Sequence, residues 1–226
     1  MSPHANGPAP VQRLRVTFAV CDAARYVSHL DLTRAWVRAL RRLGAPLAYT
    51  HGFNPRPRVS VAAPLPVGFG GERELLDVYL DAPLEPRGLA GRLQAGLPAG
   101  LVVRGIEEVP LQAPPLPSQL QAADYVVSFL EPPPEDLERR VGRLMAAESL
   151  PFTRKRQGRE VRFDLRPRVL QAEVEERDGQ AALRLRLIHG AGGAARPEDV
   201  VSALGLDPAY ARATRIGLVL AAAGGG

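Results

Sequence analysis

Leu14, Val16 and Phe18 alternate with their neighbours near the start of the chain, the period of two expected of a strand with one buried face. A helical period follows, in which Leu32, Trp36, Leu40 and Leu43 form one apolar stripe. Ser28 and Asp31 open this helix as an S-x-x-D capping box, and Gly44 and Pro46 stop it. An extended piece (LAYTHGF), a proline-arginine loop and a short strand (RVSVA) come next. ELLDVYLD reads as a further strand, PRGLAGRLQAGL as a short helix and LVVRGIEEV as a closing strand.

The same order returns in the second half. DYVVSFL is a strand and PEDLERRVGRLMAAES a helix, followed by a hairpin FTRKRQGREVRF turning at Gln157 and Gly158. A second hairpin turns at Asp178 and Gly179, because Asp-Gly supplies the positive φ angles of a tight turn. PEDVVSALG and ATRIGLVL complete the chain as helix and strand. Strand, helix, two strands, helix, strand, twice over, predicts an α+β protein of two tandem ferredoxin-like (βαββαβ) domains. The domains are expected over residues 11–110 and 121–220, joined by a Pro-rich linker at 111–120, with tails at 1–10 and 221–226.

The 226 residues, 46% of them hydrophobic, supply enough apolar side chains for a core and exclude a disordered chain. The formal charge is +5, and Lys155 is the sole lysine, so nearly every cation is an arginine. Two explanations stay open: a coding bias towards arginine, or a use for planar guanidinium groups that pair with phosphate and stack on bases. Cys21 is the only cysteine, so this chain builds no internal disulfide, iron-sulfur cluster or cysteine zinc site. The four histidines are scattered without metal-ligand spacing, and no metal or cofactor is expected to bind this chain. No stretch approaches the roughly 18 apolar residues of a membrane span and the opening residues lack a secretion pattern, which predicts a cytoplasmic protein.

Clustering of the arginines changes the picture more than their number. Arg34, Arg38, Arg41 and Arg42 recur every three to four residues on the polar side of the first helix, a cationic stripe suited to a polyanion. Arg154, Lys155, Arg156, Arg159 and Arg162 crowd five cations into nine residues of a hairpin, where they repel one another unless an anion visits. Arg184 and Arg186 extend a basic face over a neighbouring strand. The loop THGFNPRPRVS is the most distinctive string: Gly52 permits a sharp turn, Phe53 can stack on a base, and Pro55 and Pro57 stiffen an arm carrying Arg56 and Arg58. His29 and His51 are the candidates for acid and base in a metal-free RNA cleavage.

The strings YVSHLDLTRAWVRALRRLGAPLAYTHGFNPRPRVSVAAPLPVG, LLDVYL, FDLRP and ATRIGL resemble the radical SAM-linked (radical SAM-associated) protein family over nearly the whole chain. That resemblance implies a domain of unknown function, found alone or fused to cobalamin-binding radical SAM enzymes, and a setting in RNA or ribosome maturation. It supplies no catalytic residues. A looser likeness, in element order alone, is to tandem ferredoxin-like RNA-binding proteins of CRISPR systems. The expected function is an RNA-binding accessory that presents tRNA or rRNA to a separately encoded radical SAM enzyme, whose S-adenosylmethionine and iron-sulfur cluster belong to that partner. A metal-independent endoribonuclease and a protein-interaction adaptor for the same partner are the alternatives.

Overall fold

The computed structural model describes residues 9–156, 159–190 and 193–221, with the side chains of Lys155, Arg156 and Arg159 outside that description. The protein is α+β and divides into two compact units, Leu120–Ala221 being the second. The first unit contains β1 (Gln12–Val20), α1 (His29–Arg42), β2 (Val59–Val61), β3 (Gly70–Leu80), α2 (Leu89–Gln94), β4 (Leu101–Glu108) and the short α3 (Leu116–Gln119). Its strands lie in the order β4, β1, β3, β2, every neighbouring pair antiparallel.

The alternation in β1 has the expected effect on one face and an unforeseen one on the other. Leu14, Val16 and Phe18 are buried, and the Phe18 ring meets Trp36 of α1 edge-on at 4.8 Å. The helix stripe packs the same core, with Leu32, Trp36 and Leu40 buried. Ser28 caps α1 by accepting a hydrogen bond from the Asp31 N–H at 3.2 Å, and its hydroxyl donates to the Asp31 carboxylate at 2.8 Å. The opposite face of β1 carries Arg13 and Arg15, and both are buried. Register explains it: Arg15 faces Asp77 of β3 across the ladder. The wholly buried Asp77 carboxylate accepts two bonds from Arg13, at 2.9 and 2.5 Å, and two from Arg15, at 2.8 and 3.0 Å.

Arg13 has a second task. Its guanidinium donates to the Ala113 carbonyl at 2.7 Å and the Pro114 carbonyl at 3.0 Å, and Leu116 just beyond is fully buried. The stretch expected to be a bare Pro-rich linker over 111–120 is therefore fastened to the first unit, which extends to Gln119. The buried guanidinium has donors to spare beyond Asp77, and the Pro114 carbonyl also accepts from the Gln119 side-chain amide at 2.5 Å. This linkage escaped the sequence reading, since nothing in the PLQAPPLP string names a partner one hundred residues away.

The second unit contains β5 (Leu120–Phe129), α4 (Leu137–Ala146), β6 (Pro151–Arg156), β7 (Arg159–Asp164), β8 (Val169–Arg177), β9 (Gln180–Ile188), α5 (Pro197–Ala203) and β10 (Ala211–Leu220). Four strands run in the order β10, β5, β9, β8, again antiparallel throughout, and β6 with β7 forms a separate ribbon inserted after α4. Leu183, Leu185 and Leu187 of β9 bury one face, and Leu137, Val141 and Leu144 of α4 are buried too. Asp178 and Gly179, at φ 53° and 76°, make the tight turn between β8 and β9 that their sequence predicts. The turn expected at Gln157 and Gly158 lies outside the described residues. No helix among the described residues is long and apolar enough to cross a membrane.

Replacing Asp77 with alanine leaves two buried guanidinium groups without their anion, and breaking such a cluster costs about 3–5 kcal/mol. The expected result in urea unfolding is an unfolding free energy lower by that amount, and a loss below about 1 kcal/mol would show the cluster to be dispensable.

Candidate nucleic-acid interface

The arm after α1 is a closed loop with a braced base. Leu47 and Ala48 are buried, Tyr49 faces Pro57 in an isolated bridge, and the Thr50 N–H donates to the Arg56 carbonyl at 2.8 Å. The Arg56 N–H returns a 3.0 Å bond to the Thr50 hydroxyl. Below, the Arg58 N–H donates to the Ala48 carbonyl at 2.8 Å, and the Tyr79 N–H donates to the Arg58 carbonyl at 3.0 Å. Every residue from Tyr49 to Arg56 is exposed, and Gly52 takes the positive φ of 117° that lets the tip turn back. Phe53 stands at that tip with 98% of its surface free. An apolar ring of this size held in water on a stiff loop has no role in the core.

One cation of α1 reaches the base of the arm. Arg41, in the last turn of α1, donates to the Tyr49 hydroxyl at 3.2 Å and lies 6.0 Å from its ring centroid, so the end of the helix stripe and the arm meet. Arg38 and Arg42 are exposed on the same helix. Among the described residues, no carboxylate lies within ion-pair distance of Arg38, Arg41, Arg42 or Arg56. Tyr49 belongs to this surface and escaped the sequence reading; an aromatic residue four positions before Phe53, just past a buried pair, was the available signal. Two other expected residues are committed elsewhere. Arg34 pairs with Asp31 at 2.9 Å, and the Ser28 hydroxyl together with that guanidinium holds the Asp31 carboxyl below its usual range. Arg58 is half-buried with its guanidinium over the Tyr79 ring at 4.6 Å, and Arg13 lies 5.3 Å from the same ring centroid. It anchors the arm instead of standing out from it.

The hairpin of β6 and β7 departs further from expectation. Arg154 is an ion-pair partner of the buried Asp199, with its Nε 2.8 Å from the carboxylate, and it also donates to the Ala194 carbonyl and lies over the Phe163 ring at 5.0 Å. It is a structural group, not a free phosphate ligand. Arg162 is largely exposed, with Glu160 3.7 Å away. The side chains of Lys155, Arg156 and Arg159 lie outside the described residues. The basic face expected along β9 is neutralised by its neighbours: Arg186 binds Asp124 through two bonds of 2.7 and 2.9 Å, and Arg184 lies between Glu173 and Glu175. Cross-strand carboxylates claim these arginines because opposite charges facing each other on a ladder are mutually stabilising.

The two candidate histidines lie on different elements, His29 at the start of α1 and His51 on the arm. His51 is exposed on the arm. His29 is half-buried and lines a small cavity with Phe18, Trp36, Leu65 and the buried Glu74, but not His51. That cavity measures about 10 Å³, room for roughly one water molecule. Among the described residues there is no cluster of three or more histidine, cysteine, aspartate or glutamate side chains suited to a metal ion.

A family model matches residues 13–197, a span that takes in α1, the arm and the β6–β7 ribbon. The chain belongs to the family described as uncharacterized protein conserved in bacteria (DUF2344). No curated protein matches it.

The division between structural and unclaimed arginines is open to measurement. Arg154→Ala removes the partner of a buried carboxylate and should lower unfolding free energy by about 3–5 kcal/mol, whereas Phe53→Ala and Arg56→Ala should each stay within about 0.5 kcal/mol of the parent. Equal losses at Arg154 and Arg56 in denaturant titrations would contradict the assignment.

Proposed function

We propose that the protein is an RNA-binding accessory whose contact surface is the arm and the last turns of α1 in the first unit. The observation that carries this reading is Phe53, almost wholly exposed at the tip of a hydrogen-bonded loop and accompanied by Tyr49, Arg41 and Arg56. Sequence-specific recognition of RNA favours unpaired bases that stack on aromatic rings, while guanidinium groups hold the phosphates alongside. Phe53 is the stacking platform, and Arg38, Arg41, Arg42 and Arg56 are the phosphate contacts. The hairpin cations Lys155, Arg156, Arg159 and Arg162 remain part of the proposal as a second contact region.

The resemblance to the radical SAM-linked family supports the finer reading, in which tRNA or rRNA is presented in the cytoplasm to a separately encoded radical SAM enzyme. In that reading the partner brings the S-adenosylmethionine and the iron-sulfur cluster, and this chain brings none. We also read each unit as ferredoxin-like. Its support is the strand order, in which the last strand lies beside the first, then the third, then the second, with helices after the first and third strands.

The adaptor reading has its own support. Tyr26, Leu30 and Val67 are exposed large apolar residues, and the Gly68 N–H donates to the Arg25 carbonyl at 2.7 Å while the Arg25 guanidinium donates back to the Gly68 carbonyl, joining the two loops that carry Tyr26 and Val67. Exposed apolar residues on two joined segments suit a protein partner. The endoribonuclease reading has less beneath it, because the cavity beside His29 admits a water and not a nucleotide.

Fluorescence anisotropy with a labelled single-stranded RNA tests the main reading. Phe53→Ala should weaken binding by about 1–3 kcal/mol, the range of one base stacked on one ring. Arg38, Arg41 and Arg56 replaced together with alanine should flatten the slope of log affinity against log salt by about 2, given roughly 0.7 per single-strand phosphate contact. Unchanged affinity in the first variant and an unchanged slope in the second would remove the arm from the interface.

A further inference from the structure

The second unit carries a groove of opposite character to the arm. Pro132, Pro133 and Pro134 form one wall, Leu137, Val174 and Ala181 supply apolar floor, and the open volume is about 400 Å³. Glu135 and Glu138 line it, and no lysine or arginine does. Both carboxylates are exposed and, among the described residues, neither makes an ion pair. The contrast with the carboxylate between them is direct: Asp136 is claimed by Arg139 at 2.7 Å and Arg140 at 2.8 Å. Two further exposed glutamates adjoin the groove, Glu131 next to the proline wall in the chain and Glu176 two residues along β8 from Val174, on the same strand face. Val174 lies on β8, the outer strand of its sheet.

We infer that this groove is a docking site for a cationic, extended segment of a partner protein, with lysine or arginine side chains meeting Glu135 and Glu138 and an apolar residue seated against the prolines. Charge decides the occupant. A chain of formal charge +5 that leaves unneutralised carboxylates around an apolar cleft repels RNA there and attracts a basic polypeptide. Three consecutive prolines are pre-set in an extended form and lose little entropy when a ligand packs on them. The chain's own ends are poor candidates, since residues 1–8 and 222–226 contain neither lysine nor arginine. The inference is independent of the RNA proposal, resting on a different unit and on charge of the opposite sign.

The test uses the full chain and two fluorescein-labelled heptapeptides, one alternating lysine with leucine and one alternating glutamate with leucine. The lysine peptide should bind saturably and at least about tenfold more tightly than its acidic counterpart, a difference of about 1.4 kcal/mol. Two variants localise it: Glu135→Lys with Glu138→Lys reverses the rim, and Ala181→Trp fills the groove without altering charge. Each should cost about tenfold in lysine-peptide affinity, and the surface reversal keeps the test decisive if the tryptophan variant misfolds. Equal binding of the two peptides, or an unchanged affinity in the charge-reversed protein, overturns the inference. So does sedimentation velocity showing that the parent self-associates and the reversed protein does not, because the occupant would then be a second copy of the chain.

Discussion

Asp77 organises the first unit. A carboxylate with no solvent contact must find its hydrogen-bond donors inside the protein, and Arg13 and Arg15 supply four. Their pairing ties β1 to β3 on the face away from α1. From there the consequences spread outward: Arg13 also holds the 113–114 carbonyls, so the proline stretch is pinned to the unit, and both Arg13 and Arg58 lie against Tyr79, so the foot of the arm is anchored on the same strand. A buried ion cluster adds little net stability compared with a well-packed apolar core, but losing one member is costly, and that asymmetry makes the geometry specific. The exposed tip around Phe53 stands on a base that a single buried anion helps to fix.

Arginine therefore has two distinct uses in this chain, and total charge does not separate them. Arg13, Arg15, Arg154 and Arg186 are held by carboxylates, and Arg166 donates to the Met145 and Val169 carbonyls. The guanidinium fork suits this work because several fixed donors can satisfy a carboxylate and a carbonyl at once, which a lysine ammonium does less well. Arg38, Arg42 and Arg56 are exposed, and Arg41 reaches the exposed Tyr49; these four, none of them paired with a carboxylate among the described residues, are the groups from which the RNA proposal is built. Glu135 and Glu138 are the acidic mirror of that group, exposed carboxylates that make no ion pair among the described residues.

Much of the fold was legible because local signals agreed with one another. Ser28, the stripe of Leu32, Trp36 and Leu40, and Gly44 marked α1 from cap to stop, and Asp178-Gly179 marked a hairpin turn, since each of these depends on residues within a few positions. Arg154 was misread for the opposite reason. Its place in a dense cationic string suggested a free phosphate ligand, while the carboxylate that claims it, Asp199, is 45 residues away and becomes its neighbour only after folding. Arg184 and Arg186 were misjudged likewise, their partners lying on adjoining strands. The turn of the arm was readable because glycine, proline and an aromatic in one short string can be recognised without knowing any long-range contact. Tyr49 went unnoticed because a tyrosine at the end of an extended apolar run looks like core until the bridge to Pro57 turns it outward.

The central claim is that nucleic acid meets this protein at the arm. Ultraviolet crosslinking of the intact protein to the RNA of its own cell, followed by mass spectrometry of the nucleotide-bearing peptide, addresses it most directly. The account expects the adduct within residues 47–58, on Phe53 or its immediate neighbours. Adducts confined to the groove beside Pro132–Pro134 and β8, or no RNA adduct at all, would contradict it.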